Sequence, residues 1–285
     1  MTTHESITSL TDSGILTIRF DRPESKNTIG PPMVKHLCAQ LDQADADDSI
    51  KAVVFTGSGD SFCAGADLST GSLVKPADAD MVRETHRDFG GVLALRIYSC
   101  TKPVIGAVNG VAAGLGATML LPMDVRIASE NARFGFVFSR RGIVPEACST
   151  WFLPRIVGIS RAMQWTMSGR ILDSDEALNG GLLTSVHPAD QLLDEAYRVA
   201  AELTSQSSPL SVSATRRQMW NGLTQSHPME AHRVETELIR SLARKPDSKE
   251  GIKAFLEHRP AQFNSRPSKD LDEFAHFWTE PPFEL

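Results

Sequence analysis

One pattern, occurring twice, constrains the fold more than anything else in the chain. A short apolar run, first KAVVFTG (51–57) and later PVIGAVNG (103–110), leads into a stretch of small residues, CAGA (63–66) and NGVAAGLGATM (109–119). Apolar runs of this length bounded by turn residues are buried strands. The small side chains that follow let backbone N–H groups face a neighbour at close range. The second loop also opens a helical segment, whose unpaired N–H groups and dipole favour negative charge. It carries no Gly-Lys-Ser/Thr, so it is not a P-loop, and it is not a dinucleotide fingerprint. Each loop alone reads equally well as a tight packing turn. Two in one chain, each after a strand, point to a pair of N–H donors for a developing oxyanion.

The remaining pattern alternates strand and helix through the first half. ILTIRF (15–20) alternates apolar and polar and meets the turn DRPESKN; a helix follows from Pro31 with Met33, Val34, Leu37 and Leu41 on one face. GATMLLPMD reads as a helix that Pro122 ends, and VRIASENARFGF as strand, turn, strand, with Asp124 bracing the end of that helix. The order gives an α/β core. From about Ser160 the periodicity is helical. The reading divides the chain into a core over 1–205 and a helical region over 206–285. The polar, Pro- and Gly-punctuated stretch 69–81 reads as a mobile loop over a pocket. The tail places Phe274, Phe277 and Trp278 on one helical face, a contact surface toward this subunit or a neighbour.

Charge and cysteine usage exclude several function classes. A net charge of −6 argues against nucleic acid as the main partner. The four cysteines form no C-x-x-C pair and no histidine cluster has metal spacing, so buried thiols in a reducing compartment and no metal are expected. No basic-then-apolar leader opens the chain and no apolar stretch is long enough to span a bilayer, so a cytoplasmic protein is expected.

A single acid, Glu146, stands in SRRGIVPEACST between FGFVF and WFLPRIVG. It has two readings. Acids stabilise the first turn of a helix, and an apolar run follows. Alternatively, it is a general base kept from bulk water.

Five segments resemble, in order, the crotonase (enoyl-CoA hydratase/isomerase) superfamily: DRPESKNTI, VVFTGSGDSFCAGADL, KPVIGAVNGVAAGLGATMLLPMDVRIASENARFGF, GLLTSVHPADQLLDEA and EGIKAFLEHRPAQF. They span roughly residues 10–265. The resemblance implies a crotonase (ClpP-like) ββα spiral core with a C-terminal helical trimerisation region, assembled as a homotrimer or hexamer. It implies an acyl-CoA substrate, with the thioester oxygen held as an enolate by the N–H groups of Ala66 and Gly116. It implies CoA contacts from Lys26, Ala64, Ala66, Asp67, Leu68 and Gly116, Asp67 also bracing its own turn, and an acyl pocket near His86, Phe89, Val92, Leu93 and Tyr98. CoA enters as part of the substrate, so no separate cofactor is implied. Arg140 and Arg141 read as surface charge, with a CoA phosphate contact as the sharper alternative.

The chain departs from the family's two-glutamate hydratases at both acids: Thr118 and Phe138 stand in those places. VPEACS is instead similar to the glutamate element of Δ3,Δ2-enoyl-CoA isomerases, which implies Glu146 as a single base, in a surround of Phe136, Phe138, Trp151 and Phe152. Isomerisation is the favoured expectation. Hydration through a water held between Glu146 and Thr118 is the alternative, and a non-catalytic acyl-CoA binding module is the rival from another class.

Overall fold

The computed structural model describes residues 7–67 and 87–284, where the chain winds as a spiral whose successive turns feed two sheets. Among the described residues one sheet holds β1 (Ile7–Asp12), β2 (Ile15–Phe20), β3 (Ala52–Gly57), β5 (Val104–Val108), β7 (Val125–Ser129) and β10 (Ser185–His187), in the order β1-β2-β3-β5-β7-β10. The other holds β4 (Ser61–Cys63), β6 (Val111–Ala113), β8 (Arg133–Gly135) and β9 (Ile171–Asp173), in that order. β3 leads into β4, β5 into β6 and β7 into β8, so each turn lays one strand in each sheet. Only β1 with β2 and β8 with β9 pair antiparallel among these strands. The expected α/β spiral core followed by helices is what the chain forms.

The central strands are apolar throughout because both faces are covered. Val53 and Phe55 join the main core, while Ala52 and Val54 face α7 (Leu192–Thr204), which buries Leu192, Ala196 and Ala200 against them. Two asparagines brace the corners between sheets. Asn27 Nδ2 donates to the carbonyls of Ser58 and Ser61 at 2.9 and 2.7 Å. Asn109 accepts from Gly57 N at 3.0 Å and donates to the Gly59 and Ser61 carbonyls at 3.0 and 3.2 Å. Carbonyls that a sharp corner takes out of the ladder are thereby satisfied.

The helix expected over GATMLLPMD is shorter than its pattern. α3 (Leu115–Thr118) is a single turn, after which the chain proceeds by further turns to Asp124. Pro122 cannot continue the helix. Buried Arg126 takes up carbonyls that remain, donating to Leu120, Met123 and Leu182. Asp124, expected from sequence to brace the end of that helix, instead bonds elsewhere through its side chain. Its carboxylate accepts from Val104 N at 2.8 Å, from Arg216 Nε at 2.7 Å and from Trp220 Nε1 at 2.8 Å. It therefore ties α8 (Pro209–Gly222) to the start of β5.

The C-terminal helices α8, α9 (Pro228–Leu242), α10 (Pro246–Leu256) and α11 (Pro267–Asp270) follow the core, and a small cluster of Leu210, Ala214, Leu238, Leu271 and Phe274 joins several of them. The aromatic tail packs here: Phe274 is buried and Phe277 and Trp278 lie partly buried against the same cluster, on a 3-10 turn. All four cysteines are free; Cys63 and Cys100 are buried as expected, whereas Cys38 and Cys148 are only partly so. Among the described residues no helix is long and apolar enough to cross a membrane. The stretch 69–81 read as a loop over the pocket lies outside the described residues, as do Leu68 and His86.

Arg216 joins the two regions. Besides Asp124, it donates to the carbonyls of Ile97, Tyr98 and Cys100, capping the C-terminal end of α2 (Phe89–Ser99). Removing one partner of a buried ion pair typically costs about 3–5 kcal/mol. Arg216→Ala should therefore destabilise the protein by about that much in urea unfolding; a loss well under 1 kcal/mol would show that the anchor is replaceable.

Candidate active site

The two small-residue loops meet backbone to backbone. A Cβ on Gly116 would overlap the Cys63 carbonyl, and one on Gly65 would stand 2.8 Å from the Ala113 carbonyl. Gly65 also has φ +106, in the region side chains rarely adopt. The strand-ending loop after β4 therefore lies directly on the start of α3. Ala66 forms a parallel bridge with Ile29, in which Ile29 N donates to Gly65 at 3.0 Å and Asp67 N donates to Ile29 at 3.1 Å. In such a bridge the partner residue's own N–H faces away. Gly116 is the second residue of α3, where an N–H has no intrahelical acceptor. Neither N–H has a partner among the described residues. Lys26 is exposed, and its carbonyl accepts from Ala64 N at 2.9 Å, so it borders the first loop. Asp67 is exposed.

Glu146 reaches this region from the segment that follows β8. It does not cap α4 (Ser149–Val157): the cap residue is Cys148, without a side-chain hydrogen bond, and the first turn holds no acid. Of the two readings of Glu146, the helix-stabilising one has no geometric support. Instead Thr118 Oγ1, on α3 two residues past Gly116, donates to Glu146 Oε1 at 2.6 Å. The alternative with a water held between these two side chains is not what forms here; they bond directly. Glu146 Oε2 lies over Gly90, where a Cβ would collide with it and would also come within 3.0 Å of Leu115 Cδ1.

The backbone that aims Glu146 is strained. Ala147 and Cys148 have φ of 56 and 55°, left-handed conformations that cost of order 1–2 kcal/mol each. Asp88 holds the segment. Its carboxylate caps α2 by accepting from Gly90 N and Gly91 N at 3.1 and 2.7 Å, and also accepts from Ala147 N at 3.3 Å. Neither Asp88 nor Gly90 was singled out from sequence, although an Asp before Phe-Gly-Gly and an apolar run is a legible helix start.

Burial dominates the chemistry of this carboxyl. Desolvation, with the Asp88 charge adding to it and the Thr118 hydrogen bond opposing it, lifts Glu146 from an ordinary 4.5 to about 7. The neighbouring Cys63 thiol is pushed up to about 12, chiefly by burial, so it stays protonated near neutral pH. The aromatic residues expected around Glu146 pack in or against the main core. Phe138 is buried, Phe136 stacks on Trp165, and Trp151 and Phe152 pack with Tyr98 and Trp220. Leu93 is fully buried, and Phe89 packs partly buried on the core. Arg140 donates Nε to the Ser168 carbonyl at 2.8 Å and Arg141 is exposed. Among the described residues no His/Cys/Asp/Glu group is arranged to hold a metal. The arrangement offers one poised acid/base, two free N–H donors and an apolar slot, which together suit proton transfer beside a carbonyl whose oxygen gains charge.

Known proteins resemble this chain along most of its length. A family model described as enoyl-CoA hydratase/isomerase matches residues 11–266. An enoyl-CoA hydratase of Alternaria alternata is 40% identical over 88% of this chain and 83% of its own length. A 1,2-epoxyphenylacetyl-CoA isomerase of Escherichia coli is 34% identical over 92% of this chain and 99% of its own. Among solved structures, an enoyl-CoA hydratase from Polaromonas superposes with a TM-score of 0.82 at 28% identity, covering 90% of this chain and 99% of that one.

An acid whose pKa is raised by folding binds its proton more tightly in the folded state. Its burial is harmless below about pH 4.5, grows costly between pH 4.5 and about 7 as only the unfolded state ionises, and levels off above that. Glu146→Gln should thus stabilise the protein at pH 8 by up to roughly 3 kcal/mol and leave it almost unchanged at pH 4. Urea unfolding of both proteins across this range checks the sign; a mutant less stable at high pH would refute the buried-acid account.

Proposed function

Because the chain belongs to the enoyl-CoA hydratase/isomerase family, we propose that this enzyme moves a carbon–carbon double bond, converting a 3-enoyl-CoA to the conjugated 2-enoyl-CoA with Glu146 as its one base. The reading rests above all on the identity of Glu146's partner, a Thr118 hydroxyl that cannot serve as a second base. In this scheme the Glu146 carboxylate removes a proton from C2, and the electrons pass to the thioester oxygen as a dienolate. The N–H groups of Ala66 and Gly116 stabilise that oxygen, where charge appears only along the reaction, so they lower the barrier more than they tighten binding. The same carboxyl then delivers the proton to C4. A base near pKa 7 is strong enough to take the C2 proton and acidic enough to give it back.

The proposal extends to CoA contacts along Lys26, Ala64, Ala66, Asp67 and Leu68, to a homotrimer or hexamer, and to a cytoplasmic location, where free thiols persist. It needs no redox or metal cofactor. Hydration is the second reading, favoured by the name of the Alternaria relative. It would require Glu146 to activate water without a second carboxylate.

A side-by-side assay separates the two. Wild type should convert 3-enoyl-CoA faster than it hydrates 2-enoyl-CoA, with kcat/KM rising through an apparent pKa near 7 as Glu146 ionises. Glu146→Gln should still bind acyl-CoA but lose at least about a thousandfold in kcat, near the upper end of what general acid–base catalysis supplies. Faster hydration of the 2-enoyl compound, or an active Glu146→Gln, would overturn the isomerase reading.

A further inference from the structure

We propose that Thr118 is a positioning residue that divides the labour of the Glu146 carboxyl, pinning Oε1 by a hydrogen bond so that Oε2, over Gly90, is the oxygen that accepts and releases the proton. The inference rests on the reading of Glu146 as base and deepens it.

The geometry distinguishes the two oxygens. Oε1 accepts the Thr118 hydroxyl at 2.6 Å. Oε2 receives no hydrogen bond among the described residues and lies over Gly90, beside Leu115 Cδ1. An oxygen with no donor is the more basic of the pair, because its charge is the less stabilised. A hydroxyl supplies one proton, and Thr118 Oγ1 has two further acceptors only at 3.3 Å, the Gly114 and Leu115 carbonyls. The short bond to the carboxyl therefore takes that proton. With a proton on Oε2, Oε1 is a carbonyl oxygen and still accepts from Thr118. The bond survives both protonation states, so the carboxyl need not turn when it gains or loses the proton, and a preorganised base pays little reorganisation.

The placement also has a structural origin. Thr118 is fully buried on the single turn of α3, the helix whose second residue is Gly116. One short element would thus orient both the base and one of the oxyanion donors. Gly90 completes the slot, since any side chain there would collide with Oε2. The charged and titratable groups facing Glu146 are Asp88, at the cap of α2, and the Cys63 and Cys148 thiols. Burial and the Asp88 charge favour the neutral form of the carboxyl pinned by Thr118, and the hydroxyl opposes them by favouring the ionised one.

The test compares Thr118→Val, which keeps the shape and removes the donor, with Thr118→Ser, which restores it. The Glu146 carboxyl is titrated by infrared difference spectroscopy against Glu146→Gln, and kcat and KM on 3-enoyl-CoA are measured in parallel. In Thr118→Val the carboxyl should titrate about one unit higher, and kcat should fall roughly ten- to a hundredfold with KM little changed, the effect of losing one hydrogen bond to a charged group. Thr118→Ser should recover most of both. An unchanged carboxyl titration in folded Thr118→Val, or a serine variant as impaired as the valine one, would overturn the proposal. If Glu146→Gln is inactive while Thr118→Val matches wild type, the base stands and the role of Thr118 falls. If Glu146→Gln is active, the base itself is wrong, while the titration still reports whether Thr118 holds the carboxyl.

Discussion

The contact between two pieces of backbone, the Cys63 carbonyl against Gly116 and the Ala113 carbonyl against Gly65, governs the geometry of everything around it. Neither approach tolerates a side chain. Because the loop after β4 can lie this close to α3, Ala66 and Gly116, whose N–H groups have no partner among the described residues, stand on adjacent pieces of backbone. Thr118 follows on the same helical turn and meets Glu146. The spiral makes the contact possible: each turn delivers a strand to the second sheet, so successive strand ends are stacked neighbours rather than distant loops. Asn27 and Asn109 hold the corners that set this stacking.

Stability has been given up around Glu146. Burying a carboxyl away from solvating donors disfavours its ionised form. Two consecutive left-handed residues, Ala147 and Cys148, add backbone strain. Such costs persist only where surrounding structure holds them, and here Asp88 clamps Ala147 N while capping α2. Strain, desolvation and the close approach of Gly90 thus fall together on the one carboxyl that the proposed mechanism uses as its base. Arg216 and Asp124 show the contrasting case, a well-paired charged network whose work is to hold α8 against the core.

Much of this was legible from residue patterns, and the failures have physical causes. The buried strands β3 and β5 and the long helix α1 (Pro31–Ala46) followed from continuous apolar runs and from helical spacing after a proline. The two small-residue loops were legible as places of close backbone approach, and Gly65 and Gly116 sit where a Cβ would meet a backbone carbonyl. β9 and β10 went unread: three residues each carry too little periodicity, and their partners are distant in sequence. Asp124 was assigned to its own helix because sequence shows neighbours, whereas its partners Arg216 and Trp220 come from far along the chain. Thr118 was recognised by its position, but its direct bond to Glu146 depends on the close packing of α3 and could not be read from spacing.

The central proposal is that one partly buried carboxyl carries out both proton transfers, keeping the proton from C2 until it is delivered to C4. It is tested most directly by supplying 3-enoyl-CoA deuterated at C2 and locating the label in the 2-enoyl product. The account predicts that a substantial fraction of the deuterium leaving C2 reappears at C4, carried there by Glu146. Complete loss of the label to solvent, with the C4 hydrogen drawn from water, would contradict it.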